Sequence, residues 1–274
     1  MNILRTFIIG IFREAIAKKI MLTVFSLFTF LLILIIFAIT NEVVDNVITV
    51  FEASGQAAYR DAVVAFEAGL ISNVPMFLLI VMFIIIVSSF IPSMLREGQI
   101  DILLSKPISR PKIVFGHFIA GILLVFFSLV LILGIIWLVV SLKTGIWHFP
   151  FLYSIFWMTF IFALLYSTII FFAFLTKSNI ITIIINLFLF FPLTYMLYKY
   201  VSWINQGGVS YGGILNILLK FLYYLLPKPW DLSDITDSIV RVSAVNSYMA
   251  VYMSILFISV MLAFSVVYFN KKDY

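Results

Sequence analysis

Six stretches of this chain, 20–40, 75–92, 113–141, 151–175, 180–198 and 246–269, carry no Asp, Glu, Lys or Arg in their interiors. Crossing the hydrocarbon core of a bilayer takes about 20 consecutive apolar residues. A backbone in that medium must satisfy its own hydrogen bonds, which leaves helices or a closed barrel. Continuous apolar runs of this length select helices. Composition agrees: 64% of the 274 residues are hydrophobic and 11% are charged, where a soluble domain is nearer half and a quarter. The expected fold class is therefore an all-α, polytopic membrane protein with six transmembrane helices. We expect one transmembrane domain over 1–274, multi-pass in a cell membrane.

Between the spans the polar segments differ in kind. Residues 1–19 repeat apolar side chains (Ile3, Leu4, Phe7, Ile8, Ile11, Phe12, Ile16) at three- and four-residue spacing, with Arg5, Arg13, Lys18 and Lys19 among them. This pattern predicts an amphipathic interfacial elbow helix; the alternative is a plain basic tail. The 20–40 run is longer than a signal-peptide core and lacks a small-x-small end, so it is expected to be retained. Residues 41–74 are acidic, with Glu42, Asp45, Glu52, Asp61 and Glu67 against Arg60. Their apolar repeat predicts one or two outer helices, split near Gly55. Pro92 should kink or end the 75–92 helix and Pro192 should bend 180–198. Ser109 is the expected N-cap of the third span, with Pro111 in its first turn. Residues 176–179 can only be a hairpin tip. In the second outer segment, 199–245, the apolar run 214–226 suits an interfacial or re-entrant helix better than a span.

Six spans place both termini on one side. The side holding the termini, 93–112 and 176–179 has eleven Lys/Arg and four Asp/Glu, against six and eight on the other. Basic residues collect in cytoplasmic loops, so both termini are expected to be cytoplasmic.

The spans lack the groups that coupled transport and catalysis need. A charge at a helix centre costs about 2.5–3.5 kcal/mol on insertion scales and is accepted for proton or ion coupling; none is present here. Ser88, Ser89, Ser128, Tyr166, Ser167, Thr168, Asn186 and Ser259 read as helix-contact residues, with Asn186 the most open to another role. There is no G-x-x-x-x-G-K-[ST] loop, no G-x-S-x-G and no H-E-x-x-H. His117 and His148 flank one span and cannot share a metal. With no cysteine, neither disulfides nor thiolate chemistry is available. Hence no catalytic residue, metal site or cofactor is expected in the chain, and no nucleic-acid partner. An intramembrane enzyme is the weakest reading; energy must arrive from another polypeptide.

The island 93–112 is the place for it to enter. Arg96, Glu97 and Gly98 follow the second span, and Gly98 allows a sharp turn. Ile100, Leu103 and Leu104 line one face of a short helix with Asp101 off it, and Lys106 precedes Pro107, which stops it. Two turns or fewer are not stable alone in water, so the helix needs a partner groove or the membrane surface. A merely basic anchoring loop would not require Glu97 and Asp101.

These residues carry a resemblance. Arg-Glu-Gly-x-Ile-Asp-x-Leu-Leu-Ser-Lys-Pro-Ile-Ser-Arg at 96–110 and Ile-Val-Phe-Gly-His-Phe-Ile-Ala-Gly at 113–121 resemble permease subunits of type 2 ABC transporters. The likeness is nearer to the branch linked to multicopper-enzyme maturation, whose opening is similar to Phe12-Arg13-Glu14-Ala15-Ile16-Ala17-Lys18-Lys19; Leu226-Pro227-Lys228-Pro229-Trp230-Asp231-Leu232 is similar less specifically. The resemblance implies two permease chains, expected as a homodimer, each docked on a separate cytoplasmic ATPase that binds ATP and Mg. It implies that Arg96, Glu97, Gly98, Ile100, Asp101, Leu103, Leu104 and Lys106 form a coupling helix seated in that ATPase, with the elbow residues Arg5, Arg13, Lys18 and Lys19 beside it. The expected function is an ATP-driven exporter permease. The alternative is mechanotransmission, in which ATP hydrolysis moves the outer helices to work an extracytoplasmic protein.

Overall fold

The computed structural model of the chain describes residues 26, 30, 44–71, 73–88, 90–95, 109–207, 213–245 and 247–272. The elbow helix, nearly all of the 20–40 span and the island residues 96–108 lie outside the described residues. The elements are α1 (Val44–Ile71), α2 (Asn73–Ser88), α3 (Phe90–Met94), α4 (Arg110–Thr144), α5 (Pro150–Thr176), α6 (Asn179–Phe188), α7 (Thr194–Asn205), α8 (Ile214–Leu225), α9 (Pro229–Val240) and α10 (Met249–Lys271). A π turn, Leu189–Leu193, joins α6 to α7. Among the described residues there is no strand. Four helical stretches are long and apolar enough to cross a membrane: α4, α5, α6–α7 as one run, and α10. The 75–92 run is occupied by α2 and α3, with Pro92 inside α3.

α5 is the axle of the bundle. Of its apolar window 78% is buried, against 22% for α10, and α2, α4, α6, α9 and α10 all pack on it. It can be buried on every side because its polar side chains turn inward on its own backbone. The hydroxyls of Ser154, Thr159 and Ser167 donate to the carbonyls of Phe151, Ile155 and Leu164 at 2.6–2.7 Å. α4 approaches α5 closely at Gly121, where an added Cβ would lie 2.3 Å from Cε1 of Tyr166. α4 then ends at Gly145, whose left-handed backbone (φ 72°) lets its N–H close on Ser141 O, the usual glycine stop.

Three differences from the sequence expectations have simple causes. α1 runs unbroken through Gly55; one interior glycine costs only about 1 kcal/mol, too little to split a 28-residue helix whose second half packs on α2, α5 and α9. The fifth span continues past residue 198 to Asn205, because the first helix breakers after Pro192 are Gly207 and Gly208. Ser109 sits at the N-cap of α4 with Pro111 in the first turn, but its hydroxyl makes no capping bond.

The hairpin expected at 176–179 holds. Pro192 falls within the π turn, which absorbs the hydrogen bond that proline cannot donate. The carbonyl of Phe190 there accepts from Thr194 Oγ1 (2.7 Å) and from Trp230 Nε1 (3.1 Å). The 176–179 tip is a tight turn closed by Lys177 in the left-handed region and by Ser178, whose hydroxyl accepts from Ile181 N. The apolar run at 214–226 forms the 12-residue α8, none of whose side chains is buried.

Candidate functional site

The described flanks of the island are tied to the rest of one end of the bundle. Ser88 Oγ, at the end of α2, donates to Asn179 Oδ1 (2.7 Å) at the start of α6. Arg110, the first residue of α4, donates from Nη1 to the carbonyls of Phe269 (2.6 Å), Asn270 (3.1 Å) and Lys272 (2.9 Å). Its guanidinium also covers the Phe269 ring, which stacks on Phe174 of α5 at 4.8 Å. The last carbonyls of a helix have no partner within it and carry partial negative charge, so Arg110 caps α10 from the neighbouring chain segment. Arg110, Lys112, Lys177, Lys271 and Lys272 gather at this end, with no Asp or Glu among the described residues there.

Arg110→Gln removes a charge-assisted contact of the class worth about 1.5–3 kcal/mol. Faster hydrogen exchange is expected at the amides of 268–272, with the amides of α5 unchanged.

The residues expected to meet the ATPase (Arg96, Glu97, Gly98, Ile100, Asp101, Leu103, Leu104, Lys106) and the elbow residues (Arg5, Arg13, Lys18, Lys19) lie outside the described residues. Their flanks, Leu95 and Ser109, bound the described part of the site.

Two of the polar residues in the spans, Tyr166 and Asn186, bridge helices, and others bond their own backbone. Tyr166 Oη donates to His117 O (3.3 Å) across α4–α5. Ser128 and Ser259 donate to carbonyls of their own helices. Asn186 is fully buried, accepts from Thr168 Oγ1 of α5 and donates to Thr182 O. That satisfies its amide between α5 and α6, so its role is structural. Among the described residues no three His, Asp or Glu side chains converge as metal ligands would.

The profile of a family described as ABC-2 family transporter protein matches residues 11–274. The chain belongs to the ABC-2 transporter family. No curated protein matches it. Family membership makes this ABC-2 protein a multi-pass permease subunit of an ABC transporter, a membrane subunit that implies an ABC ATPase partner.

At the other end of this ABC-2 protein the contacts join residues far apart in the chain. Glu67 of α1 and His148, in the loop before α5, are 0% and 3% exposed, and Oε2 meets Nδ1 at 2.5 Å. Burial pushes the Glu67 carboxyl up to about 8 and, with nearby Arg60, pushes the His148 imidazole down. We therefore assign the uncharged pair, with the carboxylic acid donating to the neutral ring. Glu67 Oε1 and His148 Nε2 are buried without a partner among the described residues. Tyr59 Oη donates to Thr144 O (3.2 Å) nearby, and Trp137 Nε1 donates to His148 O (3.0 Å). The available signal was the position of Glu67 on the apolar stripe of α1, one turn after Val63 and one before Ile71. α9 completes this face: Trp230 stacks on Phe190 at 5.3 Å, against the π turn.

Proposed function

We propose that this ABC-2 permease is the membrane subunit of an ATP-driven exporter, moved by a separate cytoplasmic ATPase that grips residues 96–105. The observation that supports this reading best is the tethering of the island's two flanks. A push on the island reaches α10 through Arg110 and the α5–α6 turn through Ser88 and Asn179. Those helices pack on α5, so displacement of the flanks acts on the axle of the bundle. The π turn at Pro192 is the weakest point of the α6–α7 helix, since a π turn replaces the regular hydrogen-bond register, and bending there changes the outer half relative to the inner. In the full assembly two copies of this chain pair, each with six spans and both termini in the cytoplasm, and each carries one ATPase with its ATP and Mg. From the likeness of 12–19 and 226–232 we assign the chain to the branch linked to multicopper-enzyme maturation.

A second reading, mechanotransmission, draws on the outer face. α9 packs on both α5 and α10, α1 packs on α9, and Trp230 rests on the π turn. Any motion of the core carries these outer helices with it and could work an extracytoplasmic protein.

Both readings enter through the island, and the same variant tests that entry. Glu97→Arg combined with Asp101→Arg places two repulsive charges among the contacts expected to meet the ATPase, and each disrupted close pair is worth about 2–5 kcal/mol. At least tenfold less ATPase should co-purify, with the melting temperature of the membrane subunit unchanged. Normal ATPase binding and hydrolysis with this variant would overturn the coupling assignment. Export is then separated from mechanotransmission by a structure of the assembled dimer: an enclosed passage supports the first, a sealed seam with a protein on α1 and α9 the second.

A further inference from the structure

A cavity of about 410 Å³ opens on the outer face between α7, α8, α9 and the start of α10. Lys228, at the N-cap of α9, lines it and is 5% exposed. Its ammonium lies 3.9 Å and 4.4 Å from the ring centroids of Tyr223 and Tyr224. Among the described residues it has those two ring faces and no hydrogen-bond or ion-pair partner. Two carboxylates line the same cavity, and tyrosines hold both: Tyr223 Oη donates to Asp231 Oδ1, and Tyr198 Oη donates to Asp234 Oδ2 at 2.6 Å.

Charges of both signs meet in this cavity. Burial pushes the Asp231 and Asp234 carboxyls up and the Lys228 ammonium down, and the lysines offset this only in part, Lys228 at Asp231 and Lys199 at Asp234. With no hydrogen-bond acceptor among the described residues, the Lys228 ammonium is left to two ring faces and to whatever occupies the cavity. What relieves all three at once is a molecule with a positive group for the aspartates and a negative group for the lysine. Tyrosine rings beside the aspartates favour an ammonium as the positive group. Lysine is a common point-charge partner for phosphate, and the N-terminus of the 12-residue α9 adds to the same field.

We infer that this outer cavity binds a zwitterion with the chemistry of phosphoethanolamine, its phosphate on Lys228 and its ammonium on Asp231 and Asp234. The volume lies within the range of small-molecule sites, about 300–1,000 Å³. Two sources carry this chemistry: the headgroup of a membrane lipid, or a soluble phosphorylated amino alcohol. Ile214, Ile217 and Phe221 are exposed on α8, an apolar surface of the kind that rests on a bilayer, and this favours the lipid source.

The test uses the purified full chain in a phosphorus-free detergent and needs no ATPase, so its outcome is independent of the coupling proposal. Calorimetric titration compares O-phosphoethanolamine with its two halves, ethanolamine and inorganic phosphate. The whole probe should bind at least tenfold more tightly than either half, the least expected from one further charge-assisted contact of about 1.5–3 kcal/mol. Lys228→Met and Asp234→Asn should each weaken it at least tenfold. Asp234 is exposed at the rim, so its isosteric amide leaves the melting temperature unchanged and carries the test even if the lysine variant does not fold. A second arm reconstitutes the chain in nanodiscs of equal phosphatidylethanolamine and phosphatidylglycerol, re-extracts it and weighs the retained lipid. Enrichment of phosphatidylethanolamine in wild type and its loss in Asp234→Asn assigns the lipid source. Binding of the soluble probe without enrichment assigns the soluble one. Equal affinity for the probe and either half, or binding by Asp234→Asn equal to wild type, overturns the site; so does the absence of both soluble binding and lipid enrichment.

Discussion

Gly121→Ala is expected to destabilise the membrane domain by about 3 kcal/mol, the upper part of the usual range for overpacking a filled core. The new Cβ would stand 2.3 Å from Cε1, 2.7 Å from Cζ and 2.8 Å from the hydroxyl of Tyr166. That ring has nowhere to go. It is fully buried, stacks on Phe162 at 5.4 Å and on Phe118 at 6.0 Å, and donates to His117 O. Relief must come from parting α4 and α5, which pack directly against each other. Thermal unfolding in detergent, followed by intrinsic fluorescence, reads the effect. Tyr166→Leu in the Gly121→Ala background should restore part of the loss although Tyr166→Leu alone destabilises, the non-additive pattern of two residues sharing one space. Additive losses would show that the helices do not meet there.

The second large effect is a pH dependence set by Glu67 and His148. Unfolded, the two groups titrate near their ordinary values of 4.5 and 6.5. Folded, the carboxyl keeps its proton to about 8 while the ring stays neutral. Between 4.5 and 6.5 both states hold one proton on the pair, so its contribution to stability is flat there. Above 6.5 the unfolded chain releases its histidine proton and the folded chain still holds that of Glu67. Stability then falls as pH rises towards about 8, by at most about 1.4 kcal/mol per pH unit. Below 4.5 the unfolded chain takes up a second proton, and because burial holds the folded His148 below its ordinary value, stability falls as pH drops until that ring too is protonated. Glu67→Gln abolishes the alkaline fall: its stability should rise with pH up to about 6.5 and stay level above. Melting temperatures of the two proteins across pH 4 to 9, taken as a difference, isolate the pair from Asp231, Asp234 and the other titrating groups. Parallel curves would mean that Glu67 is not held protonated. The same pair fastens α1 to the loop before α5, so hydrogen exchange across 58–71 should quicken in wild type above pH 8.

How much of this was legible in advance differs from residue to residue. The helix of α4, the turn at 176–179 and the irregular turn at Pro192 all follow from features a few residues apart. Apolar run length, a proline ring without an N–H and the spacing of polar residues act locally, and the membrane amplifies them because a buried charge or unpaired amide costs so much there. Family membership was legible for the same reason: the motif at 96–121 is contiguous. Local rules also misled where a weak signal stood alone. Gly55 was too small a penalty to break α1, and Ser109 took the N-cap position without its bond.

What only the tertiary structure decided lies between residues far apart in the chain. Arg110 reaches the carbonyls of 269–272, Glu67 meets His148, Trp230 settles on the carbonyl of Phe190, and Lys228 shares a cavity with Asp234 and Tyr198. None of these pairings has a spacing to recognise, because each depends on which faces α5 collects around itself. Hydropathy determines that the helices cross and which segments stay wet. The packing of side chains, Gly121 against Tyr166 above all, decides which of the polar residues left outside come within hydrogen-bond reach of one another.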